Sequence, residues 1–364
     1  MTKRSAESRS PEFKSEMMSF SDQLAKIWER THPEAIVQTC DEQKSVKQDL
    51  EHRESAIADK ELADALREYG IDPEKITFVG ELNLADENHE PQFEKVFKVA
   101  VESHFSNERL PEGYGYEGGA ARSLLMRALE IDLTYTPRDL DIIRLSDEEP
   151  SPGADDEISQ KLMLDDYAKG HRVEVVGKEE KYFATRDLSI NQLLATDTEI
   201  IATRQCILDT VRKIIRPTEF ERNRFAESGS LGPKMLSKIL RFYVQSIHRY
   251  DSAVIEDVED WEFENYFINP FYLALHLDKA FETGNDVAES YVDELIARGQ
   301  LPEYIEDAAD AANYLAELIK GGNFYYRHAP TEQFETEADW ISELEDEFEL
   351  LPKFRGTGKS RGEK

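Results

Sequence analysis

The chain has 364 residues, of which 76 are acidic and 44 are basic, and its formal net charge is -32. This charge argues against a surface that binds nucleic acid everywhere, because phosphate binding requires clustered lysine and arginine. The two cysteines, Cys40 and Cys206, give neither a disulfide framework nor a metal cluster. We found no apolar run of membrane length and no signal-peptide core, so we expect a cytoplasmic protein without a membrane partner.

The first part of the chain predicts mainly helices. After a polar start, helical patterns cover Phe20–Arg30 and Asp41–Tyr69, and the second of them is dense in charge. This arm is either solvated or a pairing surface for a partner or another copy of the chain. We predict a short strand at Ile76–Val79 and an amphipathic helix at Gln92–Phe105.

The segment Tyr114–Leu145 carries the strongest functional signal in the sequence. A short aromatic run ends at the glycine pair Gly118-Gly119. A predicted helix follows, and its apolar face contains Leu124, Leu125, Ala128 and Leu129. The segment ends in a predicted strand, where a spacing of two residues places Asp139 and Asp141 on the same side.

This combination suits a nucleotide and its metal ions. A glycine pair lets backbone N–H groups approach an anion closely, and the positive end of the next helix points to the same place. Two adjacent carboxylates repel each other unless a divalent cation lies between them, and Mg²⁺ also keeps positions open for phosphate oxygens. Each pattern alone is common, whereas the two together predict nucleotidyl transfer with Mg²⁺ as cofactor.

A predicted hairpin follows an acidic loop at Ser146–Glu157. Its first strand is His171–Val176, its turn is Gly177-Lys178, and its return strand is Lys181–Thr185. We expect the hairpin beside the aspartate strand, which makes Glu174 a candidate third carboxylate. Glu174 would complete the metal site or deprotonate the attacking hydroxyl, and the alternative is an exposed strand residue.

The stretch from Arg204 to Arg249 is basic in a chain that is otherwise strongly acidic. It contains ten basic and four acidic residues. One interpretation is a set of surface helices with ordinary ion pairs, and the other is the wall of a groove for triphosphate and an RNA end. The candidate RNA-binding residues are Arg212, Lys213, Arg216, Arg224, Lys238 and Arg241.

The C-terminal part predicts four helices. Residues typical of helix starts and ends place them from Asn269-Pro270 to Gly284, from Asp286 to Gly299, from Tyr304 to Gly321 and from Glu337 to Leu351. The last residues, Lys353–Lys364, form a basic, glycine-rich tail.

Further motifs follow the glycine pair and the aspartates in a fixed order. Arg186–Ala195 reads Arg-Asp-Leu-Ser-Ile-Asn-Gln-Leu-Leu-Ala, and it precedes Asp209–Arg216, Arg224-Phe225 and Leu240-Arg241-Phe242. With Gly118–Arg122 and Asp139-Leu140-Asp141, these runs resemble the tRNA nucleotidyltransferase and bacterial poly(A) polymerase family, the class II CCA-adding enzymes. The resemblance extends from Tyr114 to Gln245.

The resemblance implies an α+β fold. It consists of a nucleotidyltransferase head with a small mixed sheet, flanked by N-terminal helices and a helical C-terminal region. We therefore divide the chain into an arm at 1–75, the head at 76–203, a neck-like helical region at 204–260, a helical domain at 261–352 and the tail at 353–364.

The resemblance also implies roles for single residues. Asp139 and Asp141 would bind two metal ions. The triphosphate would contact Gly118, Gly119 and Arg122, and the nucleotide site would be supported by Arg186, Asp187 and Asn191. The chain departs from the family at Ser123, where Asp is usual, and at Leu231–Met235, where the family has a base-selecting Glu-Asp-x-x-Arg motif.

The sequence therefore predicts template-independent transfer of a nucleotide from a nucleoside triphosphate to an RNA 3′ end, such as that of a tRNA. Asp139, Asp141 and Glu174 are the predicted catalytic carboxylates. Two alternatives stay open, namely a catalytically idle protein that binds nucleotide or RNA, and transfer to a protein or small-molecule hydroxyl.

Overall fold

The structure is a computed structural model that describes residues 59–85, 91–104, 109–111, 113–137, 140–145, 158, 173–176, 182–223, 231–264 and 270–320. These residues all fall within one compact unit. The predicted helix at Phe20–Arg30, the helix at Glu337–Leu351 and the tail at Lys353–Lys364 lie outside the described residues. Of the predicted helix at Asp41–Tyr69, the structure describes helix α1 at Lys60–Glu68.

A seven-stranded sheet forms the centre of the first half of the described chain, with strand order β1-β2-β7-β6-β3-β4-β5. The strands are β1 (Ile76–Asn83), β2 (Phe93–Ala100), β3 (Tyr114–Tyr116), β4 (Leu140–Arg144), β5 (Val173–Val176), β6 (Leu193–Ala195) and β7 (Glu199–Thr203). Neighbouring strands among β1, β2, β7, β6, β3 and β4 pair antiparallel. Strand β5 lies at the edge of the sheet and pairs with β4 in parallel. The expected mixture of helices with a mixed sheet is therefore confirmed.

Strand β2 corrects one prediction, because Phe93–Ala100 forms a strand and not the amphipathic helix expected at Gln92–Phe105. It pairs with β1 on one side and with β7 on the other. Its large apolar residues are aromatic or β-branched, which suits a sheet position between two neighbours. A short apolar run of this kind does not distinguish a strand from a helix by periodicity alone.

Three helices pack with the sheet into the first hydrophobic cluster: α1, α2 (Gly118–Ala128) and α3 (Arg204–Arg212). Helix α2 confirms the predicted helix after the glycine pair, and its expected apolar face is buried at Leu124, Leu125, Ala128 and Leu129. The cluster therefore fixes the position of α2 against the sheet, and with it the glycine pair at its first turn.

The predicted return strand at Lys181–Thr185 is wrong for the residues that the structure describes, since Tyr182–Thr185 form turns. The Tyr182 hydroxyl donates to the Leu193 carbonyl at 2.9 Å, and the Gln192 amide donates to the Phe183 carbonyl at 3.1 Å. These side-chain bonds attach the turns to β6, where a hairpin strand would have used backbone bonds.

Helices dominate the second half of the described chain. They are α4 (Glu219–Asn223), α5 (Pro233–Tyr250), α6 (Asp260–Glu264), α7 (Pro270–Thr283), α8 (Asn285–Ala297) and α9 (Ala308–Lys320), together with the short parallel pair β8 (Ile214–Ile215) and β9 (Val254–Ile255). Helices α5 and α7 to α9 contribute to a second hydrophobic cluster. The predicted helices after Pro270, near Asp286 and before Gly321 are confirmed. Within the described ranges, no helix has the length and apolar character needed to cross a membrane.

Candidate functional site

The glycine pair and one predicted metal ligand meet at the first turn of α2. The Glu117 N–H, just before this helix, donates to the backbone carbonyl of Asp141 on β4 at 2.9 Å. Gly118 has a φ of +54°, and a Cβ atom placed there would lie 2.7 Å from Oδ2 of Asp141. This position therefore requires glycine for its backbone conformation and for the space beside the carboxylate.

Glu117 and Arg186 connect this turn to the Arg-Asp motif. Glu117 precedes α2 and its side chain accepts no hydrogen bond from the helix, but it accepts one from Nη1 of Arg186 at 3.1 Å. Nε of Arg186 donates to the Tyr182 carbonyl at 3.1 Å, and the guanidinium lies 4.2 Å from the centroid of the Tyr182 ring. Arg186 is thus held beside the positive end of α2. Sequence reasoning missed Glu117, whose only signal is its place before the glycine pair.

Asn191 joins two other predicted site residues. Its side-chain oxygen accepts a hydrogen bond from Arg122 of α2, and its Nδ2 donates to Oδ1 of Asp187 at 2.7 Å. Oδ1 of Asp187 also accepts from the Leu188 N–H at 2.7 Å, and Oδ2 pairs with Lys238 of α5. Arg122, Asp187 and Asn191 therefore lie together, and Lys238 joins them.

The environment of Asp187 favours its ionised form. Burial alone would raise the pKa of this carboxyl, but the Lys238 charge and hydrogen bond, together with the bonds from Asn191 and Leu188, outweigh burial and hold the pKa well below its ordinary value. The network therefore keeps a carboxylate between two cationic side chains, Arg122 and Lys238.

Two guanidinium groups flank one aromatic ring beside this network. Arg122 lies 5.0 Å and Arg241 4.5 Å from the centroid of the Phe242 ring. Arg122 is only 8% exposed, so its charge is largely removed from water. Cation–π contacts of this kind stabilise a buried arginine without neutralising its charge.

Two of the three predicted catalytic carboxylates are incompletely defined. Asp139 lies outside the described residues, and for Glu174 the structure describes only the backbone. Strand β5 pairs in parallel with β4, and Glu174 is the register partner of Asp141. Among the described side chains, no group of three or more His, Cys, Asp or Glu residues is placed to hold a metal ion. The metal roles of Asp139, Asp141 and Glu174 therefore stay predictions.

The residues at this turn fit a magnesium ion in two respects. Asp141 supplies carboxylate oxygens, the hard ligands that Mg²⁺ prefers. The missing Cβ at Gly118 allows Oδ2 of Asp141 to lie against the first turn of α2.

Two predicted RNA-binding arginines contact carboxylates within the protein. Arg212 lies 3.5 Å from Oε1 of Glu61 on α1. Arg216 pairs with Asp209 at 3.0 Å and with Asp257 at 2.5 Å, and it also pairs with Glu256. A guanidinium that is already engaged in this way has fewer donors left for a phosphate.

Lys213 is half-buried at the C-terminal end of α3. Its Nζ donates to the Thr210 carbonyl at 3.1 Å and lies 4.5 Å from the centroid of the Tyr250 ring. Burial lowers the pKa of Lys213 to about 8, with the Asp132 charge opposing the shift. This environment is typical of a packed lysine stem.

The remaining predicted RNA-binding residues are Arg224, Arg241 and Lys238. Arg224 lies outside the described residues. Arg241 is buried, and it donates from Nε to Nδ1 of His276 at 3.2 Å and from Nη1 to Oε1 of Gln245 at 3.0 Å. Lys238 contacts Asp187 as described above.

The two departures from the family pattern both have structural roles. The buried Ser123 hydroxyl donates to the Tyr135 carbonyl at 2.8 Å, which ties α2 to the loop after it. Leu231 is buried, and its N–H donates to Oε1 of the buried Glu262 at 3.0 Å. Glu262 therefore anchors the chain just before α5, and no local pattern in the sequence identified it.

No protein-family model matches this chain, and no curated protein matches it either.

Proposed function

We propose that this protein is a metal-dependent nucleotidyltransferase that transfers a nucleotide from a nucleoside triphosphate to an RNA 3′ end. One observation carries the proposal. Gly118 and Asp141, which are 23 positions apart in the chain, lie so close that a Cβ atom on the glycine would be 2.7 Å from the carboxylate oxygen. An anion cradle and a hard metal ligand are the two parts that nucleotidyl transfer requires in one place.

The first turn of α2 would bind the triphosphate. Its N–H groups lie at the positive end of a helix of 11 residues, and Gly118 presents no side chain that would keep phosphate oxygens away. Asp141 would hold Mg²⁺, which neutralises phosphate charge and lowers the pKa of an attacking hydroxyl when it is bound. Asp139 and Glu174 are the proposed further carboxylates.

Arg122 would supply positive charge beside this turn, and Arg186, which already pairs with the Glu117 carboxylate, would contribute with its remaining donors. Glu117 and the Tyr182 ring hold Arg186, while Asn191 and the Phe242 ring hold Arg122. Both side chains are therefore oriented before any substrate arrives. Preorganised charge of this kind stabilises developing negative charge without further rearrangement.

A second candidate function is transfer to a hydroxyl of a protein or small molecule. It is supported by the carboxylate partners of Arg212 and Arg216, which reduce the positive surface expected for an RNA groove. The strongly negative net charge of the chain also disfavours a long contact with RNA.

The purified full-length protein should be incubated with each α-labelled nucleoside triphosphate, total RNA and Mg²⁺. We expect labelled RNA with the wild type, and a loss of at least about 100-fold with Asp141→Asn, because the variant keeps the size of the side chain but loses its charge. Asp64→Asn is the matched control, since Asp64 is an exposed carboxylate on α1 that pairs with Arg67. It should transfer like the wild type.

The acceptor distinguishes the candidates. Label on protein or on a small molecule, with RNA unlabelled, would favour the second candidate. Nucleotide binding without release of pyrophosphate would indicate a catalytically idle protein. Undiminished transfer by Asp141→Asn would contradict the metal-binding role of Asp141 on which both enzymatic proposals depend.

A further inference from the structure

A buried carboxylate on α3 lies behind the proposed nucleotide site. Asp209 is 0% exposed. Its Oδ2 accepts hydrogen bonds from the Ser189 hydroxyl at 2.5 Å and from Nε of Arg216 at 3.0 Å, and its Oδ1 accepts one from the Gln205 amide at 2.8 Å. None of these groups belongs to the set of residues proposed to contact the nucleotide.

Ser189 connects this carboxylate to the site. It begins a single 3₁₀ turn, Ser189–Asn191, that ends at the residue holding Arg122 and Asp187. The Ser189 N–H donates to the Arg216 carbonyl at 3.0 Å, and the Asn191 N–H donates to the Leu188 carbonyl at 2.9 Å. Both the backbone and the side chain at the start of the turn are therefore fixed, and Asn191 lies only two residues further on.

The backbone just before Ser189 is attached to the segment that follows Arg216. The Thr218 N–H donates to the Asp187 carbonyl at 2.9 Å, and the Thr218 hydroxyl donates to the Arg186 carbonyl. The segment after Arg216 thus holds the segment that contains Arg186 and Asp187. Ser189 is the one residue of this turn whose described side-chain bond reaches α3.

Breaking this arrangement would destabilise the fold, but a net gain in stability does not by itself explain why the ion pair is there. Burial raises the pKa of the Asp209 carboxyl, while the bonds from Ser189, Arg216 and Gln205 oppose that shift. A buried ion pair is weak support for stability, because desolvation offsets much of the attraction between the charges. The hydrogen bonds do fix the orientation of the Asp209 side chain, because a carboxylate with three donors cannot rotate without losing one of them.

We infer that Asp209 is a positioning residue, which acts through the Ser189 hydroxyl to hold Asn191 and thereby to orient the Arg122 guanidinium toward the bound triphosphate. This inference rests on the proposed function, because it assumes that Arg122 contacts the nucleotide. It goes beyond that function because it assigns a role to Asp209 and Ser189, which touch neither substrate nor metal.

A double-mutant cycle tests this inference. The variants are Ser189→Ala, Arg122→Ala and the double variant, each as full-length protein, and affinity is measured calorimetrically in Mg²⁺. The probe is whichever of the four nucleoside triphosphates the wild type binds most tightly. Ser189→Ala should weaken affinity about tenfold, the size expected for losing one hydrogen bond to a charged group. In the Arg122→Ala background, the same substitution should cost less than about twofold.

Ser290→Ala is the matched control, because it also removes one hydroxyl, which contacts His248 at 2.6 Å in the helical region. It should bind nucleotide like the wild type. Multiplicative losses in the double variant, or no loss in Ser189→Ala, would overturn the inference while leaving the proposed function intact. A wild type that binds none of the four triphosphates would overturn the proposed function and this inference with it.

Discussion

Two stretches of the chain were identified in the sequence by different kinds of signal, and their polar side chains have different partners in the structure. The Arg186–Asn191 segment was identified by the order of its residues, and its polar side chains converge with Arg122 and Glu117 around the first turn of α2. The stretch Arg204–Arg249 was identified by its charge, and several of its cations contact carboxylates elsewhere in the protein.

The difference shows what each kind of signal measures. A motif specifies which residue types stand at which spacing, so it constrains geometry. A charge count specifies neither direction nor partner. In a chain with 76 acidic residues, a local excess of cations is easily used within the fold. The predictions below test whether Arg186–Asn191 contributes to ligand binding and whether the cations of Arg204–Arg249 stabilise the fold.

The largest expected effect concerns stability. Arg216→Met should lower the free energy of unfolding by about 3–5 kcal/mol, because it leaves the buried Asp209 carboxylate without its cation. Asp257→Asn removes an exposed partner of the same arginine and should cost less than about 1 kcal/mol. Urea unfolding measures both values. An Arg216→Met protein that is as stable as the wild type but has lost RNA affinity would show that this arginine binds RNA and does not stabilise the fold.

The next effect concerns the site. Gly118→Ala should reduce nucleotide transfer by about 100-fold, because the new Cβ would displace the Asp141 carboxylate. Gly70→Ala is the matched control, since Gly70 also has a positive φ, +74°, but no atom lies within 4 Å of its added Cβ. It should show the backbone strain as a loss of stability while transferring normally. Equal losses of transfer in the two variants would mean that strain alone explains the effect.

The smallest effect concerns Arg204, another cation of the basic stretch, which pairs with Asp59 at 2.7 Å. Burial disfavours ionised Asp59, but bonds from the Leu62 N–H, Arg204 and Lys95 outweigh burial and lower the pKa from 3.8 to about 2. A carboxyl group whose pKa is lowered by folding stabilises the fold at pH values above its ordinary pKa. That stabilisation is lost as the pH falls through the folded pKa.

Asp59→Asn should therefore be less stable than the wild type by about 2 kcal/mol at pH 7. The difference should disappear between about pH 4 and pH 2. Chemical unfolding at several pH values measures it. A difference that stays constant across this range would show that Arg204 contributes nothing through the charge of Asp59.

Local sequence information was sufficient for elements whose periodicity or punctuation is strong. Helix α2 has a clear apolar face, and α7 begins at Pro270, as predicted. It was insufficient for β2, because a short aromatic and β-branched run acquires its strand identity from pairing with β1 and β7. The same limit applies to Tyr182–Thr185, which form turns, and the Tyr182 hydroxyl donates to the Leu193 carbonyl of β6.

The candidate site shows the same division. The motifs named Gly118, Arg122, Arg186 and Asn191 as candidate site residues, but they did not indicate which contacts these residues make. Glu117 and Asp209 could not be assigned, because their roles depend on partners that are distant in the chain, Arg186 and Ser189. The sequence also could not show that Arg216 would pair with Asp209, although the two are only seven residues apart.

The central claim is that Asp141, next to the glycine cradle, binds the metal ion of a nucleotide. A crystal structure with Mn²⁺ and a non-hydrolysable nucleoside triphosphate, measured at the manganese absorption edge, tests it most directly. We predict anomalous density in contact with the Asp141 carboxylate and phosphates against the N–H groups of Gly118 and Gly119. Manganese and triphosphate bound elsewhere, with Asp141 contacting neither, would contradict the account.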